Sequence, residues 1–271
     1  MKEKIMKSVL GAAVLSISMT GGVQAAPFEG DVSDGTYIAV GKSGGPWGPH
    51  QPNLSGIGLD AGGMTQSQIV DIRFLASMDP TGQALDYGEV ARQLDMRGTG
   101  PDPDHTGLGY FTLVGVGDIS DDVWYGEWSW GGPSGFSDRS VFYIGDKESV
   151  SMPSSGSATY SVNGLNQFAA AGDHLSGEIN VDFGGGPGSV QGQLTNTSRD
   201  FGISVNAEIS GSSFDGTSRA YAPSNDSTLA NGLSKGEFYG NQAEFLAGMA
   251  TFEDHAEYDT SFGGERGAII P

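Results

Sequence analysis

The feature that most constrains the fold is a rhythm of short alternating segments in the second half of the chain. LSGEINVDF (175–183) and FGISVNAEI (201–209) alternate apolar and polar residues almost without a break. This period of two residues predicts strands with one buried face, separated by hairpin turns. The strands are expected at 159–162, 175–183, 189–194, 201–209, 214–222, 236–239, 243–252 and near Ser261. Eight short antiparallel strands fit a closed barrel without exposed edges, and side chains fill a barrel of that size.

The first half of the chain has fewer and less regular strand patterns. Val70, Ile72 and Phe74 alternate with polar residues, which predicts a half-buried strand. One segment, LDYGEVARQL (85–94), has apolar residues at roughly helical spacing behind Asp86, a possible cap. Further strands are predicted in GYFTLVGVGD (109–118), DVWYGEWSW (122–130) and RSVFYIGD (139–146).

A Ser-, Pro- and Gly-rich segment at residues 147–158 has the composition of a linker. We therefore predict a mainly β chain with two domains. The first, residues 26–150, is a β-rich (α+β) ligand-binding domain. The second, residues 151–271, is the eight-stranded antiparallel β-barrel.

Residues 1–25 have the organisation of a secretory signal peptide. A start with three lysines is followed by an apolar run over residues 9–19 and by small residues ending at Ala25. The run is too short to span a bilayer, so the pattern favours export over a membrane anchor. Cleavage after Ala25 leaves 271 − 25 = 246 residues. We expect a protein that a bacterium releases through the periplasm to the outside.

Charge and cysteine usage narrow the function. The formal net charge is −20, and removal of a signal peptide with a balance of +2 takes it to −22. So acidic a surface repels nucleic acid and anionic lipid, which argues against recognition of a phosphate backbone. The sequence has no cysteine, which excludes disulfides, thiolate metal sites and a lipidated N-terminal cysteine.

Two segments match the G-x-S-x-G pattern of hydrolases, GKSGG at 41–45 and GLSKG at 232–236. A nucleophile elbow needs a strand, a sharp turn and a helix, and neither segment is followed by a helical pattern. In a chain with 45 glycines such matches arise by chance. We therefore predict that the protein is not an enzyme.

The second half resembles the eight-stranded barrel of transferrin-binding-protein-like bacterial surface proteins. The resemblance lies in ATYSVNGLNQF (158–168), AEISGSSFDGTSRA (207–220), GEFYGNQAEFLAGM (236–249) and FGGERG (262–267). In that family a surface lipoprotein assembly modulator recognises the barrel for passage through the outer membrane. The resemblance implies an export module and an outer-membrane translocon as its partner. Surface-held members carry a lipidated cysteine after the signal peptide, where this chain has Ala26.

The first half is similar to the hemophilins, the soluble, lipid-free members of that family. The similar segments are YIAVGKSGGPWGPHQPNLSGIGL (37–59) and VWYGEWS (123–129). The resemblance implies a hemophore whose N-terminal domain holds heme b noncovalently through histidine. It also implies delivery to a TonB-dependent outer-membrane heme receptor, with host haemoglobin as one source of heme.

The resemblance singles out two of the four histidines as iron ligands. His50 lies in the loop PWGPHQPN, and His105 lies in the loop GPDPDHTGLGY ahead of an aromatic strand. Ligands from opposite loops would clamp the iron on both faces. The alternative is that both are ordinary exposed loop histidines. His174, in a barrel turn, and His255, in an acidic segment, are expected to be solvent-exposed.

Aromatic and basic residues near these loops complete the predicted heme site. Trp47, Tyr110 and Tyr125 are predicted to wall the porphyrin, and either tyrosine is a reserve ligand for ferric heme. Lys42 and Arg97 are predicted partners of the propionates. The competing interpretation places at least half of the strand aromatics in the core and both cations in solvent. Trp124, Trp128 and Trp130 are the other aromatic candidates.

A second function from a different class stays open at this point. Transferrin-binding relatives recognise host proteins, so the first domain is also compatible with a cofactor-free host-interaction or adhesion protein. Binding of hemin separates the two hypotheses.

Overall fold

A computed structural model describes residues 28–45, 48–61, 64–98, 107–133, 138–184 and 187–271. The predicted signal peptide lies outside the described residues. Within them, no helix is both long enough and apolar enough to cross a bilayer.

The described residues of the first half contain nine strands. They are β1 (Phe28–Val32), β2 (Ile38–Lys42), β3 (Ser55–Leu59), β4 (Val70–Asp71), β5 (Gln83–Ala84), β6 (Val90–Met96), β7 (Gly109–Val116), β8 (Val123–Ser129) and β9 (Arg139–Asp146). One antiparallel sheet has the order β1-β9-β8-β7-β6-β5, and a second has the order β2-β3-β4. The strands predicted at 109–118, 122–130 and 139–146 are confirmed as β7, β8 and β9.

The strand predicted over residues 70–74 is wrong, because β4 ends at Asp71 and a helix, α1 (Ile72–Ser77), follows directly. Asp71 has an extended backbone and accepts a hydrogen bond from the Phe74 amide, as an N-cap residue does. Over five residues, the spacing of a helix and that of a strand are hard to tell apart. The buried residues of α1 have helical spacing: Ile72, Leu75 and Ala76.

The helix predicted over residues 85–94 is also wrong. The chain makes one 3-10 turn at Asp86–Gly88 and then continues as β6. Tyr87 (φ 59°) and Gly88 (φ 86°) both have a left-handed backbone, which ends the turn. Ala91 and Leu94, three residues apart, belong to clusters on opposite faces of the sheet.

The second half forms the predicted closed barrel. Its strands are β10 (Ser157–Leu165), β11 (Leu175–Asp182), β12 (Ser189–Asn196), β13 (Phe201–Ser210), β14 (Ser213–Ala222), β15 (Ser227–Tyr239), β16 (Phe245–Thr251) and β17 (Thr260–Arg266). Each pairs antiparallel with the next, and β17 pairs with β10 to close the ring. We keep 26–150 and 151–271 as proposed domain bounds.

Aromatic side chains fill the lumen of the barrel, as predicted. Phe238 is fully buried. Its ring centroid lies 5.4 Å from that of Phe214 and 6.0 Å from those of Tyr160 and Phe183. The lumen is therefore a packed core, and we look for a ligand site elsewhere.

The six-stranded sheet is buried on both faces. On β8, Trp124 and Trp128 pack towards the three-stranded sheet and α1, whereas Val123 and Tyr125 pack against barrel residues such as Phe245. The molecule therefore has three layers, with this sheet in the middle. Because both faces are covered, β7, β8 and β9 have nearly continuous apolar sequences.

Close approach of the barrel to the sheet depends on glycine at the contact. A Cβ added to Gly263 would lie 2.6 Å from the ring of Tyr125, and one added to Gly145 would lie 2.5 Å from the ring of Tyr239. Both distances are far below van der Waals contact. Gly263, in the terminal FGGERG segment, is thus an interface residue that lets β17 lie against β8.

A carboxylate reaches into the same interface. Glu89 as a whole is half-buried, but its Oε2 accepts hydrogen bonds from the Tyr125 hydroxyl (2.7 Å) and the Asn163 amide (2.9 Å). Both donor residues are completely buried. Burial, together with the charge of Glu265, raises the pKa of Glu89 to about 7 despite these two hydrogen bonds.

Replacing Glu89 by glutamine is expected to flatten the pH dependence of stability. The unfolded chain releases this proton near pH 4.5 and the folded protein near pH 7. The free energy of unfolding contributed by Glu89 is therefore complete below about pH 4.5 and is lost as the pH rises through 7. Denaturant midpoints measured at pH 5 and pH 8 should differ less in Glu89→Gln than in the native protein.

The matched control for that substitution is Glu148→Gln, because the side chain of Glu148 is exposed. It should leave the difference between pH 5 and pH 8 unchanged. If the difference between the midpoints at pH 5 and pH 8 is the same in the native protein and in Glu89→Gln, Glu89 does not have a raised pKa in the folded protein.

Candidate functional site

The loop that carries His50 joins β2 to β3. The Ser43 hydroxyl donates to the Gln51 carbonyl (2.8 Å) and accepts from the Leu54 amide (2.9 Å). One serine, itself 2 % exposed, thus holds the two sides of a Gly- and Pro-rich loop together. The closed loop directs His50 inward, where it is 8 % exposed.

His50 is hydrogen-bonded to the carboxylate at the start of α1. Its Nδ1 lies 3.2 Å from Asp71 Oδ2, which also accepts from the Gln51 amide (2.7 Å). Asp71 Oδ1 accepts from the Phe74 amide (2.7 Å). Burial raises the pKa of Asp71, but the bonds from His50, Gln51 and Phe74 outweigh it, so the pKa is lowered. An ionised carboxylate only accepts, so Nδ1 of His50 carries the proton.

The ring of His50 is also fixed from the side. The Phe74 ring meets it edge-on, with 4.7 Å between the centroids and an interplanar angle of 74°. With Nδ1 bonded to Asp71, Nε2 is the nitrogen through which this imidazole would bind a metal.

A small apolar cavity lies beside His50, between the three-stranded sheet and the six-stranded sheet. Its volume is about 30 Å³, well below the roughly 300–1,000 Å³ of ligand pockets, so a porphyrin would have to separate its walls. Apart from His50 its lining is apolar: Ile57, Leu59, Met64, Val70, Leu75, Met96, Leu108 and Phe111.

The chemistry of this lining fits an iron porphyrin. Heme needs a strong axial donor and an apolar slot, and the cavity offers a buried imidazole, aliphatic side chains and two thioethers. Among the described residues, no group of three or more His, Asp or Glu side chains is arranged to hold a bare metal ion.

Trp47 and His105, two of the predicted heme contacts, lie outside the described residues, so their assignments remain predictions. The segment that contains His105, residues 99–106, is bounded by residues close to the cavity. Met96 precedes it and Leu108 follows it, and both line the cavity.

Tyr110 and Arg97 are not brought to the cavity. Phe111 packs on the face that holds the cavity, so its neighbour Tyr110 points to the opposite face. The Arg97 guanidinium lies 5.5 Å from the Tyr110 ring centroid and 2.6 Å from Asp95. Burial raises the pKa of Tyr110 to about 12. In these positions, Tyr110 does not line the cavity beside His50, and the Arg97 guanidinium is occupied by Asp95.

Tyr125 is likewise on the side of the sheet that faces the barrel. It is completely buried, and its hydroxyl donates to Glu89. Burial, with the charge of Glu89, raises the pKa of the phenol well above its usual value. Its predicted role as a slot wall or reserve ligand has no support in this position. The expectation that strand aromatics are core holds for Tyr125, Trp124 and Trp128, which are at most 3 % exposed.

Lys42 is exposed at the end of β2, immediately before Ser43. It therefore stands in solvent at the base of the loop that holds His50. Its assignment to a propionate remains a prediction.

The two barrel histidines differ from each other. His255 is exposed, as expected, beside Glu257 at 3.1 Å. His174 is not, because its side chain is 12 % exposed and its Nε2 lies 3.3 Å from Asp86 of the 3-10 turn. The turn at residues 86–88 packs on the barrel loop, and this long-range contact overturns the prediction of exposure.

Sequence reasoning missed Asp71, Phe74 and the two methionines. The N-cap pattern of Asp71 was readable in the sequence, since aspartate before a short apolar helical segment is a start signal. Its contact with His50 joins residues 21 apart and depends on the pairing of β3 with β4, in which Gly56 lies opposite Asp71. No local pattern contains that information.

Sequence models of two protein domains match the chain. The HphA N-terminal heme-binding domain matches residues 22–140, and the HphA C-terminal domain matches residues 150–266. His50, Asp71 and the cavity lie in the first match, and the barrel lies in the second.

Solved structures are similar to the chain at low sequence identity. HpuA from Kingella denitrificans, in complex with human haemoglobin, has a TM-score of 0.52 at 15% identity, over 91% of this chain and 90% of that chain. The apo structure of that haemoglobin receptor gives the same score and identity over 91% and 89%. Transferrin binding protein B from serogroup B Neisseria meningitidis scores 0.42 at 17% identity, over 65% of this chain and 36% of that chain. The HpuA structures establish a shared two-part architecture.

Proposed function

The chain belongs to the hemophilin (HphA) family of heme-binding hemophores, and from this premise we propose that His50 is its iron ligand. The cargo is heme b, held noncovalently between the three-stranded sheet and the six-stranded sheet. The barrel serves export and docking.

One observation carries this proposal. His50 is a buried imidazole at the edge of an apolar cavity, and the Asp71 carboxylate holds its Nδ1. Histidines that bind metals commonly donate their second ring N–H to a carboxylate or carbonyl, which fixes both tautomer and ring orientation.

The residues around His50 have separate tasks. Bound heme would supply an iron that accepts protein ligands and a large apolar ring. His50 Nε2 would provide one ligand, and Leu59, Leu75 and Phe111 would cover apolar surface and keep water away. Since Met96 and Leu108 bound the segment of His105, we propose His105 as the second ligand, with Trp47 against the ring.

The propionates need a cation at the rim of the site. Lys42 is our candidate, because it is exposed at the base of the His50 loop. Its flexible ammonium would act as a point charge. We no longer propose Arg97 as a propionate partner, because its guanidinium already donates hydrogen bonds to Asp95 and to the Gly131 carbonyl.

The route of the protein follows from the same proposal. The signal peptide directs the chain to the periplasm, an outer-membrane translocon recognises the barrel, and the protein is secreted. It takes up heme, with host haemoglobin as one source, and passes it to a TonB-dependent receptor. This is binding and exchange, with no catalytic step.

Titration of the mature chain with hemin tests the function. We expect saturation at one equivalent, with a sharp Soret band and low-spin features. Metal-free protoporphyrin IX is the control, and it should bind more weakly because it has no iron to ligate. Failure of hemin to bind would favour the rival function, a cofactor-free host-interaction protein.

A further inference from the structure

We propose that Asp71 is the positioning residue for the iron ligand, so that the site is built for ferric rather than ferrous heme. The inference rests on the proposed function and adds the oxidation state of the cargo. It depends on the place of Asp71 in the fold and on its contacts with His50, Gln51 and Phe74.

The position of Asp71 is fixed by the backbone around it. It ends β4, opposite Gly56 of β3, and caps α1 through its bond from the Phe74 amide. The Gln51 amide holds the second carboxylate oxygen. Two backbone amides from separate segments thus anchor the carboxylate, and Asp71 is 1 % exposed. The group that faces His50 cannot turn away without breaking one of these bonds.

The anchored carboxylate determines which nitrogen of His50 carries the proton and which carries the lone pair. Because both oxygens of Asp71 only accept, Nδ1 must be the donor and the lone pair must be at Nε2. The same arrangement directs the imidazole of a Ser-His-Asp triad, where asparagine in place of aspartate gives the wrong tautomer.

A carboxylate behind the imidazole also changes the ligand electronically. It draws the Nδ1 proton towards itself, which makes Nε2 a stronger donor. A stronger anionic donor favours the more highly charged ferric iron, and hydrogen bonding behind the axial ligand is one of the ways in which proteins set the reduction potential of heme. We infer that ferric heme is held more tightly than ferrous heme, as suits a carrier that works in an oxidising environment.

Asparagine and serine at position 71 separate the capping role from the positioning role. Asparagine has nearly the same shape but only one acceptor oxygen, so it favours the Nε2–H tautomer of His50. Serine retains the cap on the Phe74 amide but is too short to reach His50. Both variants should lower hemin affinity by roughly 10- to 100-fold, the usual effect of losing such a partner. The midpoint potential of the remaining bound heme should rise.

A second readout needs no heme. In the apo protein, ¹⁵N–¹H spectra of the histidine rings should show Nδ1–H for His50, and Asp71→Asn should shift it towards Nε2–H. The matched control is Asp79→Asn, because Asp79 also accepts from two backbone amides, those of Gly82 and Gln93. It should leave the His50 tautomer and the heme potential unchanged.

The outcomes distinguish this inference from the function. If the native protein does not bind hemin, the proposed heme-binding function is wrong. The tautomer experiment in the apo protein then still tests whether Asp71 positions His50. If hemin binds natively, and Asp71→Asn and Asp71→Ser keep the native potential and the native tautomer, the inference is overturned while the function stands.

Discussion

In His50→Ala, the low-spin spectrum of the hemin complex is expected to disappear and hemin affinity to fall more than for any other single substitution. The alanine removes the proposed ligand and leaves the Asp71 carboxylate buried beside an empty space, so iron coordination and local packing should be lost together. The loss should exceed the roughly 10- to 100-fold expected from removing the carboxylate alone. Absorption spectra and equilibrium titration measure both effects.

The matched control is His255→Ala. His255 is exposed and pairs with Glu257 on the barrel, so the spectrum and the affinity should stay native. A native low-spin spectrum in His50→Ala would contradict the ligand assignment, although the protein would remain a hemophore with another ligand. Imidazole added to His50→Ala should restore part of the low-spin spectrum if the cavity made by the substitution opens onto the iron.

The barrel was predictable from sequence because strands such as β11 and β13 alternate buried and exposed residues, although β16 and β17, which lie against the middle sheet, are buried almost throughout. In β11 and β13 the residues that enter the lumen alternate with exposed polar residues, as the burial patterns show. The middle sheet does not follow this rule, because Trp124 and Tyr125 are both buried, on opposite faces. Such strands are predicted from their apolar runs, but the partners on each face are not.

The residues alone did not single out an iron ligand. His50 was proposed because its segment resembles the hemophilins, and its role as a ligand remains a prediction. The assignments of Tyr110 and Tyr125 depended on which face each tyrosine takes, and that choice is made by the docking of the barrel. The elements predicted at 70–74 and 85–94 were also wrong. In the first, Asp71 caps a helix; in the second, Tyr87 and Gly88 have a left-handed backbone that ends the turn.

The docking of the barrel on the middle sheet depends on a buried ion pair. Arg139 Nε lies 2.9 Å from Glu127 Oε2, and both residues are 4 % exposed. The Arg139 guanidinium also donates to the Ala256 and Asp259 carbonyls of the barrel. Glu127 in turn accepts from barrel backbone, the amides of residues 167 and 168 (2.9 and 2.6 Å). Each member of the pair lies on the sheet and makes hydrogen bonds to backbone groups of the barrel.

Arg139→Met is therefore expected to lower the free energy of unfolding by about 3–5 kcal/mol, because it leaves the Glu127 charge buried without its partner. The same substitution at Arg219, which makes a surface ion pair with Asp226, should cost no more than about 1 kcal/mol. Adding Glu127→Gln to Arg139→Met should recover part of the loss, since the uncompensated charge is then removed. Urea denaturation of the four proteins measures these differences. Equal losses at Arg139 and Arg219 would mean that the pair does not hold the barrel to the sheet, and that the apolar packing around Tyr125 does so instead.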